Sequence, residues 1–149
     1  MKQMRAKRLD LPAARQDIAR ADLVFYGVDH SGPTYEARVF LNNPKATEVT
    51  PLTAEEGYAG AFTVFGHGGC FGAEGHCAPN DRYTDDFDRR PPHPLTPQTV
   101  WITITDALAR VAADQVEVNV VPVISEGMAA LSGTSDVAGF ERVRIVTYA

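Results

Sequence analysis

The stretch Thr34–Asn42, TYEARVFLN, decides how the rest of the chain is read. Tyr35, Ala37, Val39 and Leu41 fall on alternate positions, and Glu36 and Arg38 stand between them. Successive side chains of an extended strand point to opposite faces, so this period of two predicts a strand with one face in a core and one in water. Similar runs lie on both sides. LVFYGV (23–28) is a continuous apolar run of strand length, and GAFTVFGH (60–67) reads as another strand. TVWITI (99–104) puts Val100, Ile102 and Ile104 on one face, and VEVNVVPV (116–123) alternates Val116, Val118 and Val120 with Glu117 and Asn119. ERVRIVTY (141–148) closes the series with Val143 and Ile145 opposite Arg142 and Arg144.

Six alternating strands with few helices and turn-rich links predict a mainly β fold, an antiparallel jelly-roll-like β-sandwich. Two short helices are expected beside it. LPAARQDIARAD (11–22) has Asp10 as a cap, Pro12 in its first turn and a thin apolar stripe of Leu11, Ala14, Ile18 and Ala21, which predicts an N-terminal helix on the surface of something else. TDALARVAAD (105–114) predicts an internal helix capped by Thr105 or Asp106. The domain reading is an N-terminal basic arm and helix over 1–21, then one sandwich domain over 22–149. A long Gly/Pro-rich loop, 66–97, interrupts that domain.

Composition narrows the function. The 149 residues are 44% hydrophobic and 22% charged, which suits one core. The formal charge of −5 argues against a nucleic-acid partner. Lys2, Arg5, Lys7 and Arg8 form a basic cluster that reads as a solvated arm, with a docking arm for an acidic partner as the alternative. No apolar run is long enough for a membrane span, and no apolar segment follows the basic start as a secretory signal requires, so a cytoplasmic location is expected. Thiols stay reduced there, which leans against a disulfide.

The loop opens with FGHGGCFGAEGHC (65–77), which holds both cysteines and two of the four histidines. His67, Cys70, His76 and Cys77 supply thiolate and imidazole donors, which suit zinc or cuprous copper. The glycines at 66, 68, 69, 72 and 75 would let a short loop fold back so that donors converge. The spacing is not that of a standard finger, and adjacent His76 and Cys77 strain against binding one ion together. Three readings stay open: a metal site using two or three of these donors, a Cys70–Cys77 disulfide, and a glycine-rich turn with free thiols. His93, on the stiff RPPHPLTP arm, can reach back toward the loop as a further ligand or stand exposed. His30, in GVDHSGP, belongs to the turn between the first two predicted strands, in a structural or solvent role. Asp85, Asp86, Asp88, Arg89 and Arg90 read as a solvated loop with local ion pairs. No nucleophile elbow, phosphate loop, HExxH or dinucleotide motif is present, and no histidine flanks Ser125, Ser132 or Ser135.

The order of the segments LVFYGVDH, YEARVFLNNP, YAGAFTVFGH, TPQTVWITITDAL and VEVNVVPV, with a last strand ending at Tyr148, resembles the C-terminal β-domain of the polyphenol oxidase and bacterial tyrosinase family. The resemblance runs from Ala21 to Tyr148, and CFGAEGHC and RRPPHPLTP look like its bacterial version. It implies a sandwich that covers the copper entrance of a tyrosinase domain until it is removed or displaced. By functional analogy with the small caddie proteins of some bacterial tyrosinases, it also implies help in copper loading. The family's dicopper centre needs six histidines on helices, whereas this chain has four, none at helical i, i+4 spacing. The expectation is therefore a non-catalytic accessory domain serving a tyrosinase-like copper domain, in cis or in trans, with copper held by His67, Cys70, His76, Cys77 and His93. A second reading is an interaction module whose loop holds structural zinc or a disulfide. A third, a small independent enzyme with an open metal site, lacks a nameable general base.

Overall fold

The computed structural model describes residues 6–11, 17–67, 87, 96–127 and 137–149. Its elements are β1 (Ala6–Asp10), β2 (Arg20–Val28), β3 (Tyr35–Leu41), β4 (Tyr58–Val64), β5 (Gln98–Thr103), α1 (Thr105–Ala109), β6 (Gln115–Val123) and β7 (Arg142–Tyr148). They form a four-stranded sheet, ordered β1-β6-β3-β4, and a three-stranded sheet, ordered β5-β2-β7. Every pairing is antiparallel. The fold is the expected mainly β, jelly-roll-like sandwich.

The alternation sets the faces. Tyr35, Ala37, Val39 and Leu41 are buried, as are Val116, Val118 and Val120 beside them. From the other sheet, Leu23, Phe25, Ile102 and Val143 complete the same core. Phe25 is its centre, with ring centroids 5.1 Å from Phe62 and 5.2 Å from Phe140, the latter edge-on. Pro122 sits in β6, a strand flanked on both sides, although proline lacks a ladder donor. Among the described residues the pairing of β1 with β6 starts at Asn119, short of Pro122.

Three expectations are corrected. The basic arm is paired rather than loose over its described part, though Lys7 and Arg8 stay exposed: Ala6–Asp10 is an edge strand, with Arg8 3.6 Å from Glu117 and Gln115 donating to Asp10 at 2.7 Å. Lys7 and Arg8 charge this edge, which discourages pairing with another chain. The N-terminal helix is overruled at both ends, because Asp10 ends β1 and Arg20 and Ala21 begin β2; residues 12–16 lie outside the described set. Leu11 and Ile18 of the supposed stripe instead pack against the sandwich core. Finally, α1 forms where expected, but Ile104 is its N-cap and makes no side-chain cap bond. The Thr105 hydroxyl accepts from the Ala21 N–H at 3.0 Å instead, which ties the helix to the start of β2.

Asp22 is 2% exposed on the side of β2 facing away from the core. Its carboxylate accepts from Arg20 Nε at 2.9 Å and from Thr103 Oγ1 at 2.9 Å. Chiefly through the Arg20 hydrogen bond, these partners hold its carboxyl below the ordinary value of 3.8, against the opposing effect of burial. A lowered folded-state value means that the stabilisation is complete above about pH 4 and is lost as pH falls through the folded value. Asp22→Asn should therefore cost about 1–3 kcal/mol at neutral pH and should flatten the fall in urea midpoint between neutral pH and acid. Glu55, lowered mainly by its own backbone N–H, remains in the variant and leaves a residual slope.

Candidate functional site

The long excursion between β4 and β5 leaves and re-enters the sandwich at one end of the molecule. The β2–β3 turn, Asp29–Thr34, lies at the same end. Asp29 shapes the turn by accepting from the Ser31 N–H at 2.9 Å, an Asx-type bond. Tyr35 begins β3 beside it; burial first, and then the Asp29 charge, push its phenol up to about 12, so it stays protonated.

His30 joins the three segments. It is 8% exposed. Its backbone carbonyl accepts from the His67 N–H at 2.9 Å, at the outgoing end of the excursion. Its ring Nε2 lies 2.7 Å from the Thr96 carbonyl oxygen, at the returning end. A carbonyl can only accept, so Nε2 carries the hydrogen. In the neutral ring Nδ1 is then an acceptor, and the Gln98 side-chain nitrogen stands 3.4 Å from it. Gly66 fits beneath this arrangement because it has no Cβ: one added there would lie 2.1 Å from the Gly32 carbonyl oxygen. Its N–H donates to Thr34 Oγ1 at 3.0 Å.

The rings of His30 and His67 stand edge-to-face, with centroids 5.0 Å apart. With Nε2 and Nδ1 both engaged, His30 is not a ligand in this arrangement. Nδ1 of His67 is buried. Among the described residues no three His, Cys, Asp or Glu side chains converge as a metal group. Of the five ligands read from the sequence, His67 is described; Cys70, His76, Cys77 and His93 lie outside the described residues, as does the Asp85–Arg90 cluster apart from Phe87. His30 occupies the turn assigned to it. The roles of Thr34, Thr96 and Gln98 were missed, since these contacts span from 32 to 68 residues in sequence and leave no local pattern.

At the opposite end, the β3–β4 connection and α1 bound an open cleft of about 610 Å³. Arg110 lines it together with Glu55 and Glu56.

No family model matches the chain, and no curated protein does. Solved structures match its fold. Latent aurone synthase, a polyphenol oxidase, from its natural source superposes with a TM-score of 0.55 at 16% identity, over 97% of this chain and 24% of that one. The recombinantly expressed latent enzyme gives 0.53 at 18% identity, over 98% and 24%. The form co-crystallised with hexatungstotellurate(VI) gives 0.52 at 17%, over 99% and 26%. The chain thus spans about a quarter of each of these proteins. Identities this low establish a shared fold.

His30→Ala removes the hydrogen bond that the His30 ring donates to the returning end. The expected loss is about 1–3 kcal/mol of unfolding free energy in urea titrations. Gly66→Ala, whose new methyl meets backbone atoms, should lose at least as much. Long-range nitrogen–proton NMR of the wild-type imidazole should show the hydrogen of neutral His30 on Nε2.

Proposed function

We propose that this protein is a non-catalytic accessory domain of a tyrosinase-like copper oxidase, acting as a cover for the oxidase domain. One observation carries the reading: nearly the whole chain follows the fold of about a quarter of a latent polyphenol oxidase. The order of sequence segments supports the same relation. A packed sandwich suits the task, since its core is filled by its own side chains and it offers a firm surface to a neighbour. The test adds the protein to a tyrosinase-like dicopper domain prepared without its own β-domain. Diphenol oxidation should slow at a one-to-one ratio, the two should co-migrate on size exclusion, and proteolysis of the sandwich should restore the rate. Unchanged oxidation without co-migration removes the reading.

Copper loading belongs to the same proposal as a separate activity, with cuprous ion as cargo. His67, Cys70, His76, Cys77 and His93 are the donors, and their mixture of thiolate and imidazole suits that ion. Titration of the reduced protein with cuprous ion against a competing chelator should show binding that Cys70→Ser and Cys77→Ser each weaken by about tenfold or more. Equal, weak binding by wild type and variants removes the donor role and leaves the cover.

The alternative is an interaction module in which the same loop holds structural zinc or a disulfide. The donor set of residues 65–77 supports it, since thiolate and imidazole suit zinc as well as cuprous copper and the two cysteines lie in one short segment. Native mass distinguishes a disulfide, which removes about 2 mass units, from a bound metal ion, which adds roughly 65.

A further inference from the structure

The outward face of the β5-β2-β7 sheet carries an unusual set of side chains. Cross-strand pairing places Trp101, Val24 and Arg144 in one row, and Tyr26 beside Arg142 in a neighbouring one. Trp101 is 61% exposed and Tyr148, at the far end of β7, is 49% exposed. An antiparallel sheet with one wet face ordinarily puts polar side chains there. Here the face presents aromatic rings and guanidinium groups, the side chains most enriched at the centres of protein interfaces.

Its charge has a definite sign. Asp22 is the carboxylate of the face, and Arg20 neutralises it at 2.9 Å. Arg142 and Arg144 remain, a surplus of positive charge in a chain whose formal total is −5. Glu141, the next carboxylate along the chain, folds over Gly27. Arg142 is also held in place, with its guanidinium carbon 4.2 Å from the centroid of the Tyr26 ring. Such stacking leaves the N–H edges of a guanidinium available, so less side-chain freedom is lost when a carboxylate binds.

We propose that this face is a docking surface for an acidic segment of a partner protein. Its carboxylates would be spaced about 7 Å apart to meet Arg142 and Arg144, which lie two residues apart on one strand. An apolar side chain between or beside them would cover Val24 and Trp101. Under the accessory-domain reading, on which the partner's identity rests, the segment belongs to the oxidase domain.

Trp101 is the sole tryptophan, so its emission reports directly on this face. The experiment titrates the protein with the oxidase domain and, separately, with polyglutamate at low ionic strength. Each titration is repeated on Arg142→Glu/Arg144→Glu, with circular dichroism confirming the fold, and on Arg142→Lys, which keeps the charge and loses the stack. The expected result is a blue shift of Trp101 emission with the oxidase domain. The double reversal should weaken that binding by about tenfold or more, and added salt should weaken it too. Binding of the oxidase domain with unchanged Trp101 emission and no effect of the reversal overturns this face and leaves the cover reading intact. A Trp101 response to polyglutamate that the reversal abolishes, without any binding of the oxidase domain, keeps the face and removes that partner. Silence in both titrations overturns the proposal.

Discussion

A chain that leaves one strand for about thirty residues before entering the next must bring its two ends together, and here that closure is made on His30. The backbone carbonyl of this residue takes the outgoing end, and its ring takes the returning end. The magnitudes explain why so few bonds suffice. Doubling the length of a loop adds only about 0.6 kcal/mol to the entropy of closing it, while each buried hydrogen bond contributes about 0.5–1.5 kcal/mol net. The bonds at His67, Thr96 and Gly66 together therefore outweigh the entropy of large changes in loop length. This separates the protein into two physical problems: a core fixed by alternation, and a segment fixed at its base.

The first problem was legible in the sequence because it is local and periodic. TYEARVFLN, VEVNVVPV and ERVRIVTY state which side chains face the core, and the buried positions follow them except at Phe40 and Val121, which are buried on the opposite face. What the period could not state was the edge. Ala6–Asp10 is five residues long and mostly charged, so nothing in AKRLD marks it as a strand until β6 is beside it. The apolar residues at 11 and 18 were open to the same ambiguity. Their spacing fits a helical stripe, yet both are accounted for by packing on a core that lies elsewhere in the sequence. Thr105 shows a third kind of failure. A hydroxyl at a helix start is a cap by local rules, but here the β2 backbone competes for it and wins.

The second problem was legible only as composition. Glycines, cysteines and histidines crowd together in 65–77, which marks the loop as distinctive without saying how its donors are arranged. The base of the loop was hidden for a different reason. His30 and Thr96 are 66 residues apart, and neither the turn motif DHSGP nor the proline arm refers to the other. Gly66 carried a partial signal, since a glycine there promised backbone freedom. Its φ is unremarkable, however, and what it supplies is room beside the Gly32 and Pro33 backbone.

Asp22 connects the core to the outward face. A carboxylate at 2% exposure is expensive unless it is bonded, and the cross-strand partner Thr103 together with Arg20 supplies the bonds. In doing so it anchors Arg20, whose guanidinium also lies over the Tyr148 ring at 5.7 Å. Arg142 is anchored comparably by Tyr26. Two of the three arginines on the face thus have restricted positions before any partner arrives, and exposed long side chains are rarely fixed unless something in the fold fixes them. A surface meant only to keep the protein in solution gains nothing from such restraint, because solvation is as good for a mobile guanidinium as for a fixed one. Restraint matters when a geometry must be presented, and this sheet holds Arg142 in place on the same face as a tryptophan that its own core leaves uncovered.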